Sequence, residues 1–448
     1  MRSVHRLPID VDATIQSLPT HGSTVFFPSA CLAPLASTME AMLSLSLWGG
    51  FVDMDDVEVG ASLAGALSMI LSVQARRRSS RISKKRNYRG SVRGRAPNRH
   101  RDFALGLQCI LRDYFGLDGA PPVYGEKDFE RRFRVPRAVF MRIYQAVKDR
   151  PYWRQRVNAT GKPQSHPLQK LVGAFRVIAY GESYDRCDEY VRLSRSTIAV
   201  ATKKLMQFIV EEFGPSYLRA PTPAEVQRIL TRNAQRGMPG CLGSMDCSHW
   251  EWKNCPKGLA GTYQDRKGHR TIVLETVCDE DLWVYHLFVG CPGSLNDVNV
   301  MYQSPMYLEI VSGAWPPRNF SYTVNGTTRN LPYYLVDGIY PRFAFFVSPY
   351  PQPFTEEQLM FNRVQEALRK DVERLYAVLT ARFHIMLHPS RFGTVEQMII
   401  TTQATVILHN MVTEYRRDGY VARSRMAAAA AGGVDAAAAG GEAIGGGG

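Results

Sequence analysis

The spacing of apolar residues changes near residue 240, and this change constrains the fold more than any other feature of the chain. Three segments before it carry apolar residues at helical intervals: 102–117, 129–152 and 168–180. After it, short apolar runs alternate with turns, which is typical of strands. The sequence therefore predicts an all-α region over residues 102–240 and an α/β domain over residues 241–420.

Within the all-α region the pattern predicts a helix, a tight turn and another helix. The helix over 168–180 ends at Gly181, and a short helix follows Ser183. Ser194 can then cap a third helix, because a serine side chain accepts a hydrogen bond from the first turn. That helix exposes polar side chains, namely Arg195, Ser196, Thr197, Lys203 and Lys204. A helix-turn-helix that contacts bases and phosphates has this pattern, and so do ordinary helix pairs.

In the α/β part, four apolar runs predict strands over 242–246, 271–278, 283–289 and 333–336. The second and third are joined by the acidic segment 279–281, which indicates a hairpin. Helices are predicted near Asn296, over 356–383, and from Thr394 to about residue 416, where Thr394 and Gln397 have the spacing of a capping box.

Most of the positive charge lies in one segment. The formal net charge is +14, and residues 76–101 hold twelve Lys or Arg and no Asp or Glu. Such a run binds phosphates or a nuclear import receptor, or else serves as a solvated linker. Residues 1–75 indicate no chemistry, and the Ala/Gly-rich tail over 421–448 is predicted to be disordered.

Acidic residues lie where predicted strands end. Asp246 ends the first run, Asp297 follows the third, and Asp337 follows the fourth, while Glu373 lies within the long helix. Each has an ordinary alternative: an ion pair for Asp246, a helix cap for Asp297, a turn for Asp337 and a surface ion pair for Glu373.

Together the four acids can converge on one edge of a sheet and form a metal site. Carboxylate oxygens select Mg²⁺ or Mn²⁺, and two such ions can activate a nucleophile and stabilise the leaving oxygen of a phosphodiester. His249 is interpreted as a packing or supporting residue. The eight cysteines lack the Cys-x-x-Cys spacing of zinc sites and are expected to be reduced thiols.

The segments that contain these acids resemble the plant-type branch of the PIF/Harbinger transposases, which carry a nuclease domain of the DDE class. The matching segments, in the family's order, are 243–256, 293–300, 334–341, 369–374 and 408–411, with further similarity at 89–95 and 129–134. The resemblance covers about residues 85–420. It implies an RNase H-like nuclease core, an upstream helix-turn-helix and a nuclear location.

Carried over to this chain, the family's acidic triad falls on Asp246, Asp297 and Glu373, and the aspartate of a further family motif falls on Asp337. In RNase H-like folds the second acid usually follows the fourth strand, a position that Asp337 holds here, so all four acids are candidate metal ligands. The chain departs from the family at 375–377, where Leu-Tyr-Ala replaces a small residue, Phe and Gly.

The sequence thus predicts a transposase or transposon-derived nuclease that cleaves DNA with a divalent metal and, in an active element, joins the ends to target DNA. Arg195, Ser196, Lys203 and Lys204 would contact the terminal inverted repeats. The resemblance implies a Myb-like partner protein, and a homo-oligomer stays open. The alternative is a domesticated DNA-binding or scaffold protein without catalysis. No membrane association is expected, because the most apolar stretch, 57–73, is too short and too polar to span a bilayer.

Overall fold

The computed structural model describes residues 99, 101–157, 161, 163–315 and 320–439, with side chains up to residue 419. Residues 101–439 belong to one compact unit. The predictions for residues 1–75, for nearly all of the basic segment 76–101 and for the end of the tail, 440–448, lie outside the described residues.

The region before residue 240 is helical in the structure, as the apolar spacing predicts. Its helices are α1 (Phe103–Tyr114), α2 (Glu126–Phe133), α3 (Arg137–Val147), α4 (Pro167–Tyr180), α5 (Asp188–Val191), α6 (Arg195–Tyr217) and α7 (Pro223–Gln235). The single helix expected over 129–152 is instead the end of α2 and the whole of α3. Arg134 adopts a left-handed conformation with φ of 62°, and Pro136 follows it, so the chain turns between the two helices.

The helices predicted around the tight turn are present. Helix α4 ends at Gly181, whose φ of 62° suits glycine at a helix C-terminus. The short helix is a 3₁₀ turn over Tyr184–Cys187 that continues into α5. Helix α6 begins after Ser194, whose hydroxyl accepts a hydrogen bond of 3.2 Å from the amide of Thr197. The capping prediction is therefore confirmed.

A five-stranded mixed sheet forms the centre of the second half. Its strands are β1 (Cys241–Glu251), β2 (Thr271–Cys278), β3 (Val284–Pro292), β6 (Tyr333–Leu335) and β7 (Phe346–Val347), in the order β3-β2-β1-β6-β7. Strands β1, β2 and β3 are antiparallel neighbours, whereas β6 and β7 run parallel to β1. Strand β1 extends beyond the predicted run because it pairs with β2 as far as Glu251 and Thr271.

Shorter elements and two long helices complete this half. They are α8 (Asp297–Met301), α9 (Pro305–Val311), the hairpin of β4 (Tyr322–Val324) and β5 (Thr327–Arg329), α10 (Glu356–Arg382), α11 (His384–Leu387) and α12 (Val395–Ala439). Helices α7 and α10 pack on β1. The backbone of α12 continues to Ala439, although disorder was predicted after residue 420; alanine has the highest helix propensity.

Helix α12 connects the helical region to the sheet through one buried amide. The Asn410 side chain donates to the carbonyl oxygens of Tyr217, at 2.7 Å, and Val284, at 2.8 Å, and it accepts from the Val284 amide at 3.0 Å. His409, beside it, contacts the carbonyl oxygen of Leu282 at 2.7 Å. The segment 408–411 that marked the family resemblance is therefore a structural connection between α6, β3 and α12.

Candidate active site

Asp246 lies near the middle of β1, with a side chain that is 20% exposed. One carboxylate oxygen accepts a hydrogen bond of 2.8 Å from the amide of Cys247. The pKa of Asp246 is raised to about 6, chiefly by burial and also by the charges of Asp297 and Asp337, against the lowering effects of that hydrogen bond and of Arg369. A carboxyl group with this environment favours binding either a proton or a cation.

Asp337 is close to Asp246 because of the strand register. Strands β1 and β6 are parallel, and Ser244 lies opposite Leu335. Asp246 and Asp337 each follow two residues later, so both lie at the same edge of the sheet, on chains that are about 4.8 Å apart. Asp337 is exposed in a turn, where its own carbonyl accepts from the Tyr340 amide at 3.2 Å. Asp337 is therefore a turn residue and also lies close to Asp246.

Asp297 lies in the first turn of α8 and is not the residue that caps it. The cap is Asn296, whose side chain accepts from the amide of Asn299 at 2.8 Å. Burial raises the pKa of Asp297, and the charge of Asp337 raises it too, whereas His249 acts in the opposite direction. His249 itself is exposed and contacts the hydroxyl of Thr271 at 2.8 Å.

Glu373 is connected to the aspartates through an arginine. The Arg369 guanidinium lies 2.9 Å from a carboxylate oxygen of Glu373 and 3.9 Å from one of Asp246. The surface ion pair expected for Glu373 is thus present, with a partner that also faces Asp246. The sequence does not indicate this role of Arg369, because nothing in it shows that one turn of α10 faces β1.

Tyr376 fixes the backbone on which Asp246 is carried. This partly buried side chain of α10 donates its hydroxyl to the carbonyl oxygen of Asp246, at 2.8 Å, and accepts from the hydroxyl of Thr276, at 2.6 Å. The departure from the family at 375–377 therefore has a structural reason: a phenylalanine at 376 would leave this carbonyl without that partner.

Residues 215–420 match the family model described as plant transposon protein. The α/β half of the chain is therefore similar to a plant transposon protein domain. This confirms the resemblance to the PIF/Harbinger type. Residues 106–148 also match a domain of unknown function, DUF8418. No solved structure matches the chain.

Two curated relatives illustrate the similarity. "Protein ALP1-like" of Arabidopsis thaliana is 23% identical over 273 residues, which cover 58% of this chain and 64% of that protein. "Putative nuclease HARBI1" of Mus musculus is 23% identical over 222 residues, which cover 49% of this chain and 59% of that protein. The chain therefore spans less than two thirds of the length of these relatives.

A second acidic group lies outside this edge. Among the described residues, Asp279, Glu280 and Asp281 form the one group of three whose ligand atoms all lie within 4.8 Å of one another, a spacing that could hold a metal ion. Arginines already neutralise it: Arg228 and Arg417 each lie 2.9 Å from the buried carboxylate of Asp279, and Arg232 lies 2.8 Å from both Glu280 and Asp281. This hairpin is best explained as a structural ion-pair network.

The predicted DNA-binding side chains lie exposed on α6 of the same compact unit. Arg195 lies 3.7 Å from the carboxylate of Asp185, and the ammonium of Lys204 lies 5.2 Å from the centre of the Tyr152 ring. Ser196 contacts the hydroxyl of Ser194 at 3.0 Å. Lys203 makes no ion pair with any residue that the structure describes. Of the four predicted DNA-binding side chains, it is therefore the one most accessible to a phosphate.

Two further expectations concern the whole described chain. Seven of the eight cysteines are described, and all seven are free thiols, as expected; Cys31 lies outside the described residues. None of the helices in the described ranges is long and apolar enough to cross a membrane.

Proposed function

We propose that this protein is a transposase or transposon-derived nuclease that cleaves DNA phosphodiesters with a divalent metal, Mg²⁺ or Mn²⁺. One observation carries the proposal: Asp246, Asp297 and Asp337 are near enough to one another at one sheet edge for their charges to interact. The match to a plant transposon protein domain over 215–420 supports it. The parallel β6 beside β1 supports an RNase H-like core.

The charges at this edge favour a divalent cation, and no three of its described acids have ligand atoms that all lie within 4.8 Å of one another in this structure. Asp246 and Asp297 are partly buried and have raised pKa values, so their charges are incompletely neutralised by the protein alone. Asp246, Asp297, Asp337 and Glu373 are the proposed ligands. When bound, a divalent cation supplies Lewis-acid stabilisation of the phosphodiester and activates the attacking water.

The remaining residues position these acids. Tyr376 holds the backbone of Asp246, and Arg369 holds the carboxylate of Glu373 toward β1. Arg369 is also the cation that faces Asp246 in this structure. The alternative function, a DNA-binding or scaffold protein without catalysis, is favoured by this last contact, because a permanent Asp246–Arg369 pair would take the place of a metal.

The test separates the two aspartates that sequence reasoning leaves equivalent. Asp297→Asn and Asp337→Asn are each expected to lower Mg²⁺- or Mn²⁺-dependent nicking of supercoiled DNA by about 10²-fold or more, because an amide loses the charge that attracts the cation at nearly the same size. Asp418→Asn, a change at an exposed acid of α12, is the matched control and should nick at the wild-type rate. A fully active Asp337→Asn would return that residue to a turn role, and the same result for Asp297 would leave it as an ordinary first-turn acid.

We further propose that α6 contacts DNA at the terminal inverted repeats, with residues 76–101 adding nonspecific affinity and nuclear import. The exposed cations of α6 and its capped N-terminus after Ser194 support this. A Myb-like partner protein, self-association and a nuclear location belong to the same proposal.

Lys203→Ala and deletion of residues 76–101 should therefore weaken DNA binding differently. Each phosphate contact contributes about 0.9 to the slope of log affinity against log salt, so the deletion should flatten that slope by several units on any duplex. Lys203→Ala should change it by about one or less and should lower the preference for terminal repeats over random duplex. A salt titration of both variants on both DNAs measures this, with Lys127→Ala on α2 as the control. Identical nonspecific losses from both lesions would contradict a recognition role for α6.

A further inference from the structure

A groove of about 770 Å³ lies between the helical region and the end of β1. One wall comes from residues 180–186 and the start of α6, and the other from Trp250, residues 253–254 and residues 384–392. The walls meet at Gly181, where an added Cβ would lie 2.5 Å from the carbonyl oxygen of His384. This contact permits only glycine, so the base of the groove is closely packed.

The groove carries an excess of positive charge. Four cationic side chains line it, with Glu182 as its one lining carboxylate among the described residues: Arg186, Arg195, Lys253 and Arg391. The ion pairs of Arg186 with Glu182, at 3.4 Å, and of Arg195 with Asp185, at 3.7 Å, are solvent-exposed and therefore weak. Lys253 and Arg391 form no ion pair with any part of the chain that the structure describes. An anion is the ligand that this charge favours.

Aromatic rings line the same groove. They are Tyr180, Tyr184, Trp250 and Phe392. The indole N–H of Trp250 donates to the carbonyl oxygen of His388 at 3.0 Å, so this polar group is satisfied within the protein and the ring is left as an apolar wall. Cations next to aromatic rings are the combination that binds single-stranded nucleic acid, because phosphates pair with the cations and bases stack on the rings.

The two histidines of the groove do not indicate a metal site. His384 and His388 have ring centres 6.4 Å apart. Burial lowers the pKa of His384, and Arg134 and His388 lower it further. The charged side chains that line the groove are mainly cationic, which opposes binding of a metal ion. A lowered pKa favours the neutral form of His384, which leaves the attraction for phosphates to the arginines and Lys253.

We propose that this groove binds one or two nucleotides of a single DNA strand, an inference that rests on the proposed nuclease function. Its volume lies within the roughly 300–1,000 Å³ of pockets that enclose a small molecule, which is too small for a segment of duplex. Lys253 and Arg391 contact phosphates, and a base stacks on Tyr184.

The position of the groove relative to the acids fits a strand that is being processed. Trp250 follows Asp246 by four residues on β1, a distance of about 13 Å at 3.3 Å per residue. An opened single strand spans this distance with a few nucleotides, so one strand can contact both the groove and the acidic edge. A strand opened near the cleavage point would reach it.

The experiment measures binding without cleavage, in EDTA, by fluorescence anisotropy of the full chain. The probes are a labelled eight-nucleotide oligo(dT) and a labelled 20-base-pair random duplex. Lys253→Glu/Arg391→Glu should weaken oligo(dT) binding about ten-fold or more and duplex binding less than three-fold. The control Lys127→Glu/Arg363→Glu makes the same charge change at exposed cations that do not line the groove, and it should weaken both probes equally and slightly.

Tyr184→Leu tests the stacking part of the inference. Loss of one base–aromatic stack should weaken oligo(dT) binding by about five-fold or more and leave duplex binding unchanged. Both probes are measured in EDTA, where no metal-dependent cleavage occurs, so a failure of the nuclease assignment does not affect this measurement. Equal losses on duplex and single strand, or a charge reversal no more damaging than its control, would overturn the proposal. All four sites of charge reversal are exposed, so these variants are expected to fold.

Discussion

Replacing Asp246 with asparagine is expected to abolish DNA cleavage and, at the same time, to stabilise the folded chain. Loss of this carboxylate removes a proposed ligand from the cation. Stabilisation of transition-state charge by a metal amounts to several kcal/mol, so cleavage should fall by about 10³-fold or more. DNA binding should stay nearly unchanged, because α6 is a separate element from the acidic edge. Glu373→Gln should also lower cleavage strongly if Glu373 is a ligand.

The stabilisation follows from the pKa of Asp246. Its ordinary value of 3.8 is raised to about 6 in the folded chain, chiefly by burial, so the carboxylate is less stable there than in the unfolded chain. Removing the charge while keeping an oxygen for the Cys247 amide should raise the free energy of unfolding by about 1–3 kcal/mol at pH 7, measured by urea unfolding in EDTA.

The pH dependence of the unfolding free energy tests whether the charge of Asp246 causes this stabilisation. A raised folded-state pKa means that protonation of Asp246 favours the folded chain, with this contribution complete below about pH 4 and lost as the pH rises through about 6. The stability gap between Asp246→Asn and wild type should therefore be largest above pH 7 and should shrink toward pH 4. An equal gap at both pH values would show that the charge is not its cause.

The same variant separates the two candidate functions. A nuclease should show wild-type cleavage that Asp246→Asn eliminates. A scaffold protein should show no cleavage in either form. The stability gain follows from burial of the carboxylate and is expected for both functions, so cleavage is the measurement that distinguishes them.

Local patterns predicted much of the fold. The helix cap at Ser194, the glycine stop at 181 and the hairpin at 279–281 depend on residues close in sequence, and all three are present. Strand β7 was missed because two residues carry no periodicity, and its pairing with β6 depends on the rest of the sheet.

The candidate acidic residues were predicted from their positions and from the family resemblance, whereas the residues that contact them were not predicted. Arg369 and Tyr376 act across the interface of α10 with β1, and that interface is formed by residues more than 100 positions apart. The one sequence feature that pointed to such a contact was the tyrosine at 376, which departs from the family. Its role is clear only from the structure, where its hydroxyl donates to the Asp246 carbonyl oxygen. The hydrogen bonds of Asn410 likewise form only when α6, β3 and α12 are packed together.

Asn410→Ala is expected to be the most destabilising change outside the core. The side chain makes three hydrogen bonds, to the carbonyl oxygens of Tyr217 and Val284 and from the Val284 amide, and Asn410 is 0% exposed. Alanine would leave these three backbone groups buried without that partner. At about 1–3 kcal/mol for each unsatisfied group, with partial relaxation, the expected loss is about 3–5 kcal/mol.

The chain contains a matched control for this change. Asn362 makes the same reciprocal pair with the backbone of Tyr350, donating at 2.9 Å and accepting at 2.8 Å, but in a solvent-exposed position. Water can replace those bonds, so Asn362→Ala should cost about 1 kcal/mol or less. Urea unfolding monitored by tryptophan fluorescence compares the two, since Trp283 precedes Val284 and stacks on Tyr217 at 5.9 Å. Similar losses from both variants would mean that burial of the Asn410 amide does not determine its contribution, and that the 408–411 segment connects α6 to β3 mainly through its apolar neighbours Leu408 and Met411.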